Sequence, residues 1–295
     1  MTAPVVDSHL HLWDLAGGGY DWLGPNDGDL HKSFSPEMAQ HELEVAGVTA
    51  AVLVQADDTE TDTRFMLDAS DRFDFVAGVV GWVQLDDPVR AQAQLDDYGK
   101  HEAFRGVRQL IHDDPRSDLM EFPAVRRTLA MLAERDLPFD IPDAWPRHLS
   151  ATAQLAADLP DLRVVLDHLG KPPRGGSDFG DWSLALREVA RRPNTVAKVS
   201  GLQVNGQPLT VEALRPVWEI ALEEFGPSRL MYGGDWPMTV PSGGYQRTWN
   251  VLSELVGELS AHEQAAVLAG TAVSVYRLGS HLVTDIARPV DRPKR

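Results

Sequence analysis

The amino-acid sequence predicts an α/β fold of the (β/α)8 TIM-barrel class, and three observations support that prediction. Eight short apolar segments rich in β-branched residues recur along the 295 residues, and helix-like segments separate them. Several of the apolar segments show no alternation, as in parallel strands that are covered on both faces. The first segment lacks the glycine-rich phosphate turn that an open doubly wound sheet would favour, and eight such units at this chain length fit a closed barrel.

The eight predicted strands span residues 3–13, 49–56, 75–85, 104–111, 137–143, 162–170, 194–202 and 229–237. Between the first two, "SPEMAQHELEVAG" has Ser35 as N-cap, Pro36 at the first helical position and Gly47 as a C-terminal stop. Asp87 and Pro88 repeat this arrangement before "RAQAQLDDYGK", with one residue between. The helix signals therefore fall between strand segments, as a barrel requires.

Four further segments carry apolar residues at helical spacing: "FPAVRRTLAMLAERD", "PRHLSATAQLAADLP", "DWSLALREVARRP" and "TVEALRPVWEIALEEFG". Pro216 in the last of them predicts either a kink or a later start of that helix. After the final strand, Ser260 and Glu263 stand at capping-box spacing, and "TAVSVYRLG" follows. We assign these last pieces to packing.

The organisation along the chain predicts one domain, residues 1–280, and a Pro-rich, basic C-terminal tail, residues 281–295. A Gly-rich segment, residues 14–35, separates the first strand from its helix. In a barrel this segment lies on the face where active sites form, so we interpret it as a lid or a pocket wall. A disordered surface insertion is the alternative.

The composition excludes several classes of function. The chain has no cysteine, which rules out disulfides, thiolate metal ligands and a thiol nucleophile. A formal net charge of −17 opposes binding to nucleic acid and to anionic membranes. The N-terminus does not resemble a signal peptide, and no apolar run reaches membrane-spanning length. We therefore expect a cytoplasmic protein with a small-molecule partner, and nothing in the sequence sets its oligomeric state.

"DSHLHLWD" places His9 and His11 at the end of the first predicted strand. Residues two apart in a strand share a face and lie about 6–7 Å apart, so both imidazoles can reach one metal ion. An isolated His-x-His pair more often consists of two buried core histidines whose hydrogen bonds are satisfied. Whether the pair binds a metal ion depends on its partners in the fold. The segments "VVLDHLGKP" and "RLMYGGDWP" supply His168 and Asp235 at the ends of strands six and eight.

These four side chains form a nitrogen and oxygen set suited to zinc or another divalent ion. The same set also suits a metal-free site, in which Asp235 is the base and the histidines polarise a carbonyl.

The ordered run of seven motifs resembles the amidohydrolase superfamily over residues 5–278, namely "DSHLHLWD", "VLVQA", "GWVQL", "FRGVRQL", "LDHLGKP", "AKVSGL" and "LMYGGDWP". The similarity is to the branch of L-fuconolactonase-like and L-rhamnonolactonase-like sugar lactonases, related to 2-pyrone-4,6-dicarboxylate lactonase. It implies a barrel that hydrolyses a lactone, with His9, His11 and His168 as site histidines and Asp235 as general base. No lysine ends the fourth strand and no histidine ends the fifth, so a binuclear metal centre is not expected. One zinc ion and a metal-free site both remain open.

Other polar residues are candidates for substrate binding. The fourth strand and the residues after it supply Arg105, Arg108 and His112. Each arginine either binds a carboxylate or hydroxyl of the substrate or forms a structural ion pair. Lys171 follows His168. Trp82 could stack on a sugar ring, although filling the core is favoured.

The remaining candidates lie on strands two, five and seven. Gln55 ends the second strand, and Lys198 either reaches the mouth or snorkels. Asp140 and Asp143 either bind hydroxyls or cap the next helix. Relatives in this branch tend to have an arginine-bearing loop after "FDL", whereas here only Arg147 remains, shifted by one position. The sequence therefore does not identify which lactone is the substrate.

Two other functions compete with a lactonase. The same superfamily contains zinc-dependent non-oxidative decarboxylases with a first-strand His-x-His and an eighth-strand Asp. The other rival is a non-catalytic barrel that binds sugar acids. A basic mouth under the acidic surface is a further expectation, because the product of lactone opening is an acid.

Overall fold

In the computed structural model, which describes residues 3–204, 206–279 and 282, eight parallel strands form one sheet in chain order. The strands are Val6–Leu10 (β1), Ala50–Val54 (β2), Val76–Gly81 (β3), Phe104–Arg108 (β4), Phe139–Ile141 (β5), Val164–Leu166 (β6), Thr195–Val199 (β7) and Leu230–Tyr232 (β8). The segment after β8 meets β1 through a parallel bridge between Leu10 and Trp236, with the His11 amide donating to the Trp236 carbonyl over 2.7 Å. This contact brings the first and last strands together, which confirms the predicted barrel.

Helices connect successive strands and cover the outside of the sheet. They are Pro36–Ala46 (α1), Glu60–Ser70 (α2), Pro88–Tyr98 (α3), Pro123–Glu134 (α4), Leu149–Asp158 (α5), Phe179–Ala190 (α6), Val211–Phe225 (α7) and Gly244–Gly257 (α8). The hydroxyl of Ser35 and the carboxylate of Asp87 accept hydrogen bonds from first-turn amides of α1 and α3, as their sequence predicts. Thr210 caps α7 at its first turn, so the start of this helix is not at Pro216.

Two helices, α2 and α8, are not predicted by the sequence pattern. The buried face of α2 includes Asp62 and Thr63 beside its apolar residues, which hides the apolar periodicity. The N-cap of α8 is Gly243, and no side chain caps this helix. Both helices form because tertiary contacts cover their apolar faces, which is the main source of helix stability in proteins.

The interior of the barrel is apolar near the starts of the strands. Val6, Ala50 and Met231 pack there against Thr271–Tyr276 (α10), which follows Ala261–Ala265 (α9) and one turn of π-helix. The π-helical turn and α10 therefore fill the amino end of the barrel and leave its carboxyl end for the site. The packing role assigned to them from sequence is confirmed.

Residues 14–35 form a wall against the carboxyl end of the barrel. The hydroxyl of Tyr20 donates to Oδ1 of Asp62 over 2.8 Å, and the indole nitrogen of Trp22 donates to the Ala56 carbonyl over 2.8 Å. The indole of Trp13 reaches back to the Lys32 carbonyl over 2.7 Å. Hydrogen bonds at several points hold the segment in place, so the alternative of a disordered insertion is wrong.

The predicted tail, residues 281–295, lies outside the described residues except for Leu282, whose side chain is buried. The division into one domain and a tail therefore stays a prediction. Among the described helices, none combines the length and the apolar character that crossing a membrane requires.

Candidate active site

His9 and His11 are buried at the end of β1, with their Nε2 atoms 3.0 Å apart. Nδ1 of His11 lies 2.8 Å from the Val54 carbonyl oxygen, which can only accept a hydrogen bond. His11 therefore carries a proton on Nδ1, and its Nε2 faces His9. The two rings meet edge to face, at a centroid separation of 4.7 Å.

Asp235 brings the predicted cluster together. Its Oδ1 lies 3.8 Å from Nε2 of His9, 3.6 Å from Nε2 of His11 and 3.8 Å from Nε2 of His168. Its Oδ2 accepts a hydrogen bond from Gln203, which holds the carboxylate in this orientation. One carboxylate oxygen thus faces three imidazole nitrogens, although Asp235 follows the first of these histidines by 226 positions (235 minus 9).

His168 and Asp235 both adopt the left-handed backbone conformation, with φ of 55° and 50°. This conformation costs energy for a residue with a side chain and is concentrated at functional sites. Gly201 lets the β7 loop pass directly beside the ring, because a Cβ atom at this position would overlap the His168 imidazole. Nδ1 of His168 in turn lies 2.8 Å from the hydroxyl of Ser200.

The cluster sets three buried imidazoles around one carboxylate. Burial opposes ionisation of Asp235, but His168, His11, His9 and Lys171 outweigh it and hold the pKa of this carboxyl below its ordinary range. Burial lowers the pKa of His9 and of His168. Burial thus disfavours the charged forms of His9 and His168, whereas the surrounding groups favour the charged form of Asp235.

A buried charge network lies directly beneath His9. Nζ of Lys198 is 2.6 Å from Oδ2 of Asp140, 3.0 Å from Oδ1 of Asp167 and 3.0 Å from Nδ1 of His9. Nε of Arg108 donates to the other oxygen of Asp167 over 2.8 Å. Two cations and two carboxylates thus balance one another away from water, as buried charges must.

The sequence pattern did not identify Asp167 as a residue of the site, and it left the roles of Lys198 and Asp140 undecided. The signal was present, since each of the three interrupts an apolar strand segment with a charge. Neither alternative for Lys198 is correct, because its side chain is fully buried in this network. Asp140 does not cap a helix; besides Lys198, it accepts a hydrogen bond from the hydroxyl of Tyr276 over 2.7 Å.

A cavity of about 120 Å³ opens at the mouth beside the cluster. It is bounded by three kinds of residue: the site residues His11, His168 and Asp235; the apolar residues Trp13, Trp22, Ala56, Leu110 and Met238; and the polar residues Arg108, His112, Asp113, Asp143 and Lys171. Arg108, His112 and Lys171 therefore lie where substrate-binding residues were predicted.

The other three substrate-binding candidates do not line this cavity. Trp82 is buried and donates to Gln109 over 2.9 Å, so it fills the core, as favoured from the sequence. Arg147 donates to the carbonyls of His112 and Asp114, over 3.0 and 2.9 Å, and braces the loop after β4.

The structure corrects the predicted substrate-binding role of Arg105. It is the second residue of β4 and lies in a surface groove with Arg135 and Arg277. Arg108 is the last residue of the same strand and reaches the mouth. Position along the strand separates the two arginines, because only the carboxyl ends of parallel strands meet at the active face.

The donor atoms fit a single divalent ion. Ring nitrogens of His9 and His11 and a carboxylate oxygen of Asp235 all lie within 4.8 Å of one another. Hydrogen bonds to Val54 and Ser200 orient the rings of His11 and His168 through their Nδ1 atoms, the usual support for a metal-ligating histidine. The imidazole and carboxylate set is one that zinc accepts.

The fold and this cluster define a (β/α)8-barrel enzyme, with its site at the carboxyl ends of strands β1, β6 and β8. The chain belongs to the amidohydrolase family, whose model matches residues 6–278.

Similarity to known proteins extends over nearly the whole chain. It is 33% identical, over 281 residues, to an L-fucono-1,5-lactonase of Burkholderia ambifaria, covering 92% of this chain and 95% of that protein. A crystal structure of a Burkholderia multivorans amidohydrolase with bound HEPES matches with a TM-score of 0.84 at 28% identity. Another from the same organism, with bound zinc, gives 0.82 at 29%, and both matches cover 94% of this chain and 100% of the other.

Proposed function

We propose that this protein is a hydrolase that opens a lactone ring at the carboxyl-end mouth of the barrel. The observation that carries the proposal is the position of Asp235, whose Oδ1 faces three imidazole nitrogens at 3.6–3.8 Å beside a cavity of about 120 Å³. The L-fucono-1,5-lactonase relative at 33% identity supports a sugar lactone as the substrate.

Asp235 is the general base in this mechanism. It stays ionised because the histidines and Lys171 outweigh the effect of burial on its pKa, so it accepts a proton from the attacking water. Gln203 holds Oδ2, which leaves Oδ1 for that proton. The proton then passes to the ring oxygen as the acyl–oxygen bond breaks, and the product is a hydroxy acid.

Negative charge develops on the carbonyl oxygen during attack, and cationic or hydrogen-bonding groups aimed at it lower the barrier. His168 lines the cavity beside Asp235 and is suited to this task. When a divalent ion is bound, His9, His11, His168 and Asp235 would hold it, and it would supply Lewis-acid polarisation of the carbonyl.

The net charge of −17 and the small polar cavity favour a small-molecule substrate over nucleic acid. A cytoplasmic location remains a prediction from the sequence.

Proton release from a panel of sugar and dicarboxylate lactones, measured with a pH indicator, tests the proposal on wild type and Asp235→Asn. Asparagine tolerates the left-handed backbone at this position, so the variant is expected to fold. We expect kcat to fall about 10²- to 10⁴-fold, the usual contribution of a positioned acid–base group.

The same proteins distinguish the two rivals. Release of carbon dioxide from aromatic acids, with every lactone inert, would favour a decarboxylase. Binding of lactones without turnover by wild type would favour a sugar-acid-binding barrel. An Asp235→Asn variant as active as wild type would remove Asp235 from the mechanism.

A further inference from the structure

Asp143 lines the same cavity as His11, His168 and Asp235 of the catalytic cluster. It follows β5 and holds a left-handed backbone with φ of 38°. It does not cap the next helix, because α5 begins after His148 and no side chain caps its first turn. The capping alternative for Asp143 is therefore wrong, and a strained residue presents a carboxylate to the cavity without a structural role in the helix.

The carboxylate of Asp143 makes no hydrogen bond within the described part of the chain, and its Oδ1 is a buried acceptor without a partner. Its nearest cation is Nζ of Lys171, 3.9 Å from Oδ2, too far for a hydrogen bond. Asp58, which also lies next to the mouth, accepts from Gln55, Gln109 and the Leu110 amide. Asp143 therefore has acceptor capacity to spare in the wall of the cavity, and such capacity is costly to leave unfilled.

A hydroxyl group fits between Asp143 and Lys171. It is the one common substrate group that donates to a carboxylate and accepts from an ammonium at the same time. Burial works against the ionised form of Asp143, but Lys171, His168, His112 and Arg108 outweigh it and hold the pKa of this carboxyl below its usual value. An ionised carboxylate only accepts hydrogen bonds, so the pair selects a hydroxyl over an anionic group.

The charge of the cavity wall agrees with this selection. Arg108 is neutralised by Asp167, which leaves Lys171 against the carboxylates of Asp113, Asp143 and Asp235. The mouth is therefore not basic, contrary to the expectation from the sequence. A neutral lactone enters without repulsion, whereas the carboxylate released by ring opening is repelled by Asp143 and Asp235.

We propose that Asp143 and Lys171 form a hydroxyl-recognition site that restricts this enzyme to neutral, hydroxylated lactones and disfavours lactones that carry a carboxylate. This inference rests on the proposed lactonase function and adds the substrate class and the residues that select it. Asp143 acts on specificity, since it touches substrate hydroxyls and not the reacting carbonyl.

The test compares wild type, Asp143→Asn and Asp136→Asn. Asparagine preserves the size of the side chain and accepts the left-handed backbone. Asp136 is a matched control, because it has φ of 53°, is exposed, and pairs with Arg277 away from the cavity. Melting temperatures confirm that all three proteins are folded.

Four lactones separate hydroxyl recognition from catalysis: L-fucono-1,5-lactone and D-galactono-1,4-lactone are neutral and hydroxylated, D-glucaro-1,4-lactone adds a carboxylate, and δ-valerolactone has no hydroxyl. We expect Asp143→Asn to lower kcat/KM for the neutral hydroxylated lactones about 10- to 100-fold, mainly through KM, as for loss of a hydrogen bond to a charged group. For δ-valerolactone, followed as substrate and as competitive inhibitor, we expect a change below about threefold, since it lacks the hydroxyl that Asp143 binds. The preference of wild type for galactonolactone over glucarolactone should shrink in this variant and persist in Asp136→Asn.

Equal losses on δ-valerolactone and on the hydroxylated lactones would overturn the inference, and so would the absence of any loss. Either result leaves the lactonase function intact, provided that wild type opens lactones. A wild type that opens none of the lactones in the wider panel refutes the proposed function itself, so the two failures are distinguishable.

Discussion

The two ends of the barrel interior differ in chemistry although the same eight strands build both. Near the amino end, Val6, Ala50 and Met231 pack against α10 in an apolar cluster. At the carboxyl end, His9 and Lys198 lie among carboxylates and are equally inaccessible to water. The comparison shows that burial alone does not distinguish core from site in this barrel; the position of a residue along its strand does.

The two ends are also connected. Tyr276 belongs to α10, packs in the apolar cluster and donates its hydroxyl to Asp140 in the charge network. The helix that closes the amino end thereby also supports the charges beneath His9. Stability and site geometry are expected to respond together when this connection is disturbed.

Lys198→Met is expected to give the largest effect on stability. It leaves Asp140 and Asp167 without their shared cation, and breaking a buried ion pair on one side costs about 3–5 kcal/mol of the free energy of unfolding. Chemical denaturation measures the loss. As a control, Arg64→Met breaks an exposed ion pair with Asp97 and should change stability by less than about 1 kcal/mol. Equal stability of the two variants would show that the network is dispensable.

Met231→Ala tests the apolar end of the comparison. The side chain is fully buried in the inner cluster, and its truncation is expected to cost about 3 kcal/mol through lost burial and a residual cavity. Met231→Leu conserves volume and should cost less than about 1.5 kcal/mol. Denaturation curves check both values. Activity should survive in both variants, because neither changes an atom of the mouth or the hydrogen bond between Tyr276 and Asp140. A loss of kcat would show that the apolar packing also sets the geometry of the site.

Asp62→Asn tests the aromatic wall of the mouth with a smaller effect that depends on pH. Burial raises the pKa of Asp62 to about 7, so between about pH 4 and pH 7 the folded state keeps a proton that the unfolded state loses. The free energy of unfolding of wild type therefore falls as pH rises through this window, and the variant lacks this contribution.

We expect the difference in stability between Asp62→Asn and wild type to grow by about 1 kcal/mol per pH unit between pH 4 and pH 7. Asparagine can still accept from the Ala56 amide and donate to Tyr20, the two groups that bond Asp62. Denaturation at several pH values measures the difference. A difference independent of pH would mean that Asp62 is ionised throughout the window in the folded protein.

Much of the fold was predictable from the sequence because barrel strands and helices carry local signals. Apolar segments separated by capped helices set the order of elements, and His9, His11, His168 and Asp235 each stand just at or beyond a strand end. In a barrel of parallel strands these ends meet at one face, so their convergence follows from topology alone.

The tertiary structure decided which buried charges face one another. Lys198 meets an aspartate 58 residues away in the chain, and no local pattern pairs two strands that are not neighbours in the sheet. Likewise, only the three-dimensional arrangement separates Arg108, which pairs with Asp167, from Arg105, three positions earlier at the other end of the strand. Sequence patterns report the period and polarity of a segment. The partner of a side chain across the barrel depends instead on strand tilt and register, and on which hydrogen-bond acceptors remain without a partner. Oδ1 of Asp143 is such an acceptor, and only the tertiary structure reveals it.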